Sequence, residues 1–251
     1  MKNDAVKGVV GLTSYKKEIT WGWLDIILVY VGIVATGLIF NYFVPDIMKF
    51  MYSKGMEANE INLFMLSFFL QFIVTVSLIL FFALGVRKAS LSDLGIKNVS
   101  FFSYLVYGLG GGLFLIAVIL LLSVFVNYLK PDLNPQAYEE IIRTVKSFPQ
   151  FLLVFLAGTV MAPLSEELFF RGMIYPVFRK YTGSALGMVL AGTVFGLAHW
   201  DLWRAVPLSI GGIVLCYIYE KSGSILVSAL AHGIWNGVMA LALYMSLFNG
   251  I

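Results

Sequence analysis

FFSYLVYGLGGGLFLIAVILLLSVFVNYL (Phe101–Leu129) runs for 29 residues without an Asp, Glu, Lys or Arg. A bilayer core about 30 Å thick is crossed by a helix of about 20 apolar residues. A run of this length must close its backbone hydrogen bonds within itself once water is excluded, and a helix does that. Working outward from it, six more stretches meet or approach the same length: Leu24–Val44, Ile61–Leu84, Phe151–Val177, Ser184–Ala198, Ala205–Tyr219 and Ile225–Leu247. The fifth and sixth in chain order are short, which predicts packing inside a bundle. Pro163 predicts a kink or a break in the fourth, and a break would make eight spans of seven.

Composition agrees. Of 251 residues 60% are hydrophobic and 12% charged, with a mean hydropathy of +0.89, so polar surface is too scarce to coat a soluble globule. The net charge of +3 is small and sits at loop ends, which excludes nucleic acid as a partner and leaves the lipid bilayer. The single Cys216 allows neither an intramolecular disulfide nor a cysteine-based zinc site. The mixed, Lys16- and Lys17-bearing N-terminal stretch is not a removable signal, so the first span is expected to be retained, and no lipidation signal marks the C-terminus. Lys and Arg favour the side of the N-terminus and of the second, fourth and sixth loops, ten against six. The N-terminus is therefore expected in the cytoplasm and the C-terminus outside. The expected fold is an all-α polytopic membrane protein, one integral-membrane domain over residues 1–251 with an intramembrane polar cavity.

Other features read plainly. Pro131 to Phe148 mixes charges with Tyr138, Ile141, Ile142 and Val145, a pattern of either an interfacial helix or an ordinary amphipathic connector. Trp21, Trp23, Trp200 and Trp203 read as interfacial anchors. Gly110–Gly112 reads as a close helix contact, and Asp201 and Arg204, just after His199, read either as the lining of a substrate entrance or as ordinary loop charges.

Charge inside the membrane is the exception. The first three spans hold Asp25 alone, at an edge, whereas the fourth holds Glu166, Glu167 and Arg171. Each such group costs about 2.5–3.5 kcal/mol near the bilayer centre. Glu167 and Arg171, four apart with the acid first, can pair on one helix face, which leaves Glu166 about 100° away and in need of another partner. Both histidines, His199 and His232, also lie in apolar spans, and His232 shares a face with Asn236. At about 1.5 Å per residue from the expected cytoplasmic ends, Glu166, His199, His232 and Asn236 lie roughly 20, 22, 11 and 17 Å deep, so they can meet.

Glu166-Glu167-Leu-Phe-Phe-Arg171, Phe195 to His199 and His232 to Asn236 resemble, in order and spacing, the three motifs of the CAAX-protease and bacteriocin-processing (abortive-infection) family of intramembrane peptidases. The resemblance covers Phe151 to Met239, so residues 151–239 would be the catalytic helices. It implies hydrolysis of a peptide bond in a membrane-associated protein or peptide precursor, in a bacterial plasma membrane. Glu166 and His199 would activate water, since a desolvated carboxylate holds a proton well. His232 and Asn236 would stabilise the oxyanion, and Glu167 and Arg171 would hold the geometry. A metal reading stays open beside it: Glu166, His199 and His232 form a two-histidine, one-carboxylate set suited to zinc or another divalent metal. Two further readings compete, a non-catalytic regulator that binds a sensor or envelope partner and an ion-coupled transporter.

Overall fold

The computed structural model describes residues 19–248. Among them the chain is helical throughout its ordered elements, with no strand. Helix α1 is Trp23–Ser53, α2 Glu60–Val86 and α3 Phe101–Leu129. A short α4, Ala137–Thr144, connects to α5, the 50-residue stretch Phe148–Leu197; α6 is Leu202–Ser222 and α7 Ile225–Phe248. Six of these are long and apolar enough to cross a membrane. The long α5 is two limbs, because Gly183 leaves helical geometry at φ 79°, a conformation glycine adopts without the Cβ penalty. Beyond it the chain folds back so closely that a Cβ on Gly187 would touch the Arg179 backbone. The second limb, residues 184–197, lies where the fifth apolar stretch was expected.

Pro163 does not break the fourth span. It sits in the first turn of a helical segment, Ala162–Glu167, where its missing N–H costs little. The irregularity is instead taken up by π-helical turns on either side, Ala157–Met161 and Leu168–Ile174, which rotate the faces of the residues between them.

The second limb of α5 and α6 form a hairpin packed on small residues, Gly192 lying so close to Gly212 that neither has room for a Cβ. Gly112 of α3 meets Ile234 and the Ala231 carbonyl of α7 in the same way, the close contact expected of the glycine run. Apolar side chains elsewhere on α1, α2 and α3 are widely exposed, as a lipid-facing surface requires.

One expectation changes, and two other positions gain partners that the sequence left open. Trp21 is buried, its indole donating to the Met173 carbonyl at 3.0 Å, so it is a core residue and not an interfacial anchor. Asp25 is buried at the edge of α1, where both its oxygens accept from Arg87 Nε at 3.0 Å and one also caps the Gly22 N–H. The apolar face of α4 turns onto protein: Ile142 and Val145 are buried in a cluster with Ile61, Phe151, Val154 and Ala240. This is the connector reading of Pro131 to Phe148. The expectation for Lys16 and Lys17 falls outside the described residues.

Candidate active site

Glu166 and Glu167 are consecutive, so their side chains leave the helix about 100° apart and meet different surroundings. Glu167 turns inward and, with Arg171 one turn later, is fully buried. Arg171 Nη1 donates to Glu167 Oε1 at 2.8 Å and Nη2 to the Gly212 carbonyl of α6 at 2.9 Å. The Phe195 ring covers the guanidinium, its centroid 4.6 Å from Cζ, which adds a cation–π attraction strengthened by the absence of water. Glu167 Oε1 also lies 3.0 Å from His232 Nδ1 on α7. A carboxylate accepts, so the imidazole carries a proton on Nδ1 and presents Nε2 on its far side.

Glu166 faces the other way, with a third of its side chain exposed, and its Oε2 stands 3.9 Å from His232 Nε2. His199, on the turn after α5, has Nδ1 2.9 Å from the Phe195 carbonyl. A carbonyl only accepts, so Nδ1 carries the proton and Nε2 keeps its lone pair. The Phe195 ring touches both imidazoles, with centroids 5.0 Å from His199 and 5.7 Å from His232. Asn236 Nδ2 donates to the Gly158 carbonyl at 3.0 Å, leaving its second N–H and its Oδ1 for other partners. Sequence spacing alone gives no hint of that anchor.

Glu166, His199, His232 and Asn236 all line one cavity of about 810 Å³. Glu167 and Arg171 lie behind its wall. Along α7 its lining extends from His232 to Ser246, about 21 Å at the helical rise, toward the end of the bundle where α4 lies. Gln136, Tyr138 and Glu139 of the α4 region line it there. The Phe170 ring, edge-on to Phe195 at 5.0 Å, lines a second cavity of about 580 Å³, walled mainly by apolar side chains of α1 and α5.

Arg204 also lines the larger cavity, which agrees with the entrance reading of this residue over that of an ordinary loop charge. It pairs with Asp201 at 2.6 Å and more loosely with Glu139 of α4 at 3.8 Å. Asp201 caps α6, accepting from the Trp203 and Arg204 N–H groups at 3.0 and 3.1 Å. Burial works against its charge, but those bonds and the Arg204 guanidinium prevail and hold the carboxyl below its usual range. An Asp directly before an apolar helix, three residues ahead of an Arg, was the available signal for the cap. Tyr138 and Glu139 carried none for the cavity.

The donor set does not fit a metal as it stands. Among the described residues no three His, Cys, Asp or Glu side chains gather closely enough to hold one. Tetrahedral zinc ligands at ~2.0–2.2 Å stand about 3.3–3.6 Å apart, less than the 3.9 Å between Glu166 and His232.

Residues 148–238 match the family model described as Type II CAAX prenyl endopeptidase Rce1-like. This segment holds all three motifs, and the resemblance read from them is borne out over it. The chain is 24% identical over 103 residues to "Putative membrane peptidase YdiL" of Bacillus subtilis, covering 41% of this chain and 40% of that protein. It is 27% identical over 145 residues to "Uncharacterized protein YyaK" of the same organism, covering 52% and 46%. With "UPF0177 protein YxdF" of Lactococcus lactis it shares 24% identity over 168 residues, 65% and 89% of the two chains. The chain thus spans less than half the length of the first two relatives. No solved structure matches it. Together with the six long apolar helices, these likenesses are those of an integral membrane protein of CAAX-protease-like kind.

Proposed function

We propose that this protein is an intramembrane endopeptidase that cleaves a membrane-associated protein or peptide precursor, in a bacterial plasma membrane with its N-terminus in the cytoplasm. On that orientation the large cavity opens on the outer face. The observation that carries the reading is the gap between Glu166 Oε2 and His232 Nε2, 3.9 Å across, within one cavity that also holds His199 and Asn236. A gap of that width is one that a single water can bridge with two hydrogen bonds of about 2.8 Å.

Glu166 takes one proton from this water, and the other hydrogen is accepted by a single imidazole lone pair, that of His232 Nε2 or of His199 Nε2. The water oxygen attacks the scissile carbonyl carbon. The oxyanion that forms accepts from the second Asn236 N–H and, while the water's proton has passed from Glu166 to His232 Nε2 and before it returns to Glu166, from His232 Nε2. Glu167 accepts the His232 Nδ1–H, and Arg171 holds Glu167 in place. Glu166 then hands its proton to the departing amine nitrogen, so the hydroxyl joins the new acid and the hydrogen joins the new amine. No step is assigned to a metal.

The test uses detergent-purified protein, a quenched membrane-peptide substrate, and Glu166→Ala, His199→Ala and His232→Ala, each with and without a strong chelator. Wild type should cleave with or without chelator, and Glu166→Ala should be slower by about 100-fold or more. Equal cleavage by all four proteins would overturn the assignment. Wild-type cleavage lost to the chelator and restored by zinc would return Glu166, His199 and His232 to the role of ligands.

A further inference from the structure

Tyr138 lies on α4, ten residues before the segment 148–238 that matches the family model. It lines the large cavity together with Gly158 and Asn236. Its hydroxyl donates to the Val154 carbonyl at 3.2 Å, just ahead of the π-helical turn Ala157–Met161. The hydroxyl end of its ring abuts that turn: a methyl group on Gly158 would collide with the phenol. The Gly158 carbonyl is the acceptor that holds the Asn236 amide. A side chain outside the membrane spans thus presses on the one backbone residue that fixes an amide inside them. Single π turns inside α-helices are rare and occur frequently at functional sites.

We infer that Tyr138 is a positioning residue for the reaction, holding Gly158 so that its carbonyl turns the free N–H of Asn236 into the cavity. This rests on the oxyanion role proposed for Asn236. Burial pushes the phenol up to about 12, so it stays a neutral donor at any pH where the protein would work. The short α4, readable from the sequence as an interfacial helix or as a connector, becomes part of the site.

The experiment compares wild type, Tyr138→Leu, Tyr138→Phe, Asn236→Ala and the double variant Tyr138→Leu/Asn236→Ala, in cleavage and in unfolding midpoint. Tyr138→Leu should lower kcat about tenfold, an ordinary size for a coupled pair, and leave KM unchanged. Tyr138→Phe keeps the ring and should retain most of kcat. In the Asn236→Ala background the leucine should cost nothing further, and the midpoint shifts should be non-additive in the same way. Gly158→Ala reaches the same contact from the other side and should reproduce the kcat loss if Tyr138→Leu does not fold. Additive losses, or a Tyr138→Leu enzyme with wild-type kcat, would overturn the inference. If no protein, wild type included, shows Glu166-dependent cleavage, the hydrolase reading falls, and the midpoints alone decide whether Tyr138 and Asn236 are coupled.

Discussion

Behind the cavity wall, Glu167, Arg171 and His232 Nδ1 share bonds of 2.8 and 3.0 Å with both charged side chains wholly buried. In front of it, the next carboxylate in the chain, Glu166, is a third exposed and stands 3.9 Å from the same imidazole. The two regions are built from one dipeptide, yet the first is closed, with Glu167 Oε1 and both Arg171 Nη groups bonded and only Glu167 Oε2 and Arg171 Nε left without a partner, whereas the second keeps its acceptors facing open space. Two charges taken out of water are tolerable only where geometry and further hydrogen bonds offset their lost hydration. The Gly212 carbonyl and the Phe195 ring provide that for Arg171. Groups so committed hold a shape; groups left open can handle a proton. His232 belongs to both regions, one nitrogen in each.

The sharpest way to break this division is to remove a charge from the closed region. Arg171→Met leaves Glu167 buried without its counter-charge, and breaking such a pair costs about 3–5 kcal/mol. Its unfolding midpoint in detergent should fall well below wild type, and an unchanged midpoint would show the pair is not holding the bundle together. A smaller effect is expected from the uncharged support around the site. Gly112→Val drives a branched side chain from α3 into Ile234 and the Ala231 carbonyl, one residue before His232, an overpacking of about 1–3 kcal/mol. A chemical-denaturation series on the detergent-solubilised protein measures it.

The smallest effect belongs to the rim. Asp201→Ala removes the cap of α6 and should cost about 0.5–2 kcal/mol at neutral pH. The Asp201 carboxyl is depressed in the folded protein. Its contribution is therefore present above the unfolded value of about 3.9 and lost as pH falls through the lower folded one. The midpoints of wild type and Asp201→Ala should converge in acid, and a gap that persists there would assign the cost to packing.

The spans were legible because hydrophobic length is a one-dimensional property, and the six long apolar helices follow from it. The reversal between the two limbs of α5 was legible as a boundary, though not as the single backbone angle of Gly183 that makes it. The pairing of Glu167 with Arg171 followed from helical spacing, and the separate facing of Glu166 from the 100° step. What stayed hidden depended on contacts remote in sequence. Arg87 reaches Asp25 across 62 residues and the Trp21 indole finds Met173 across 152, neither of which periodicity can suggest. The turn of α4 onto the protein was undecidable for a related reason: an amphipathic face does not say whether lipid or protein will cover it. The π-helical turns beside Pro163 were hidden too, since one extra residue per turn leaves the apolar pattern almost unchanged.

The most direct measurement sets the two neighbouring glutamates against each other as isosteres, Glu166→Gln and Glu167→Gln, recording kcat on a quenched membrane peptide and the unfolding midpoint of the same preparations. The expected result is a split: Glu166→Gln loses about 10²–10⁴ in kcat at a wild-type midpoint, and Glu167→Gln lowers the midpoint. Wild-type turnover by Glu166→Gln, with its fold intact, would contradict the assignment of that carboxylate to the chemistry.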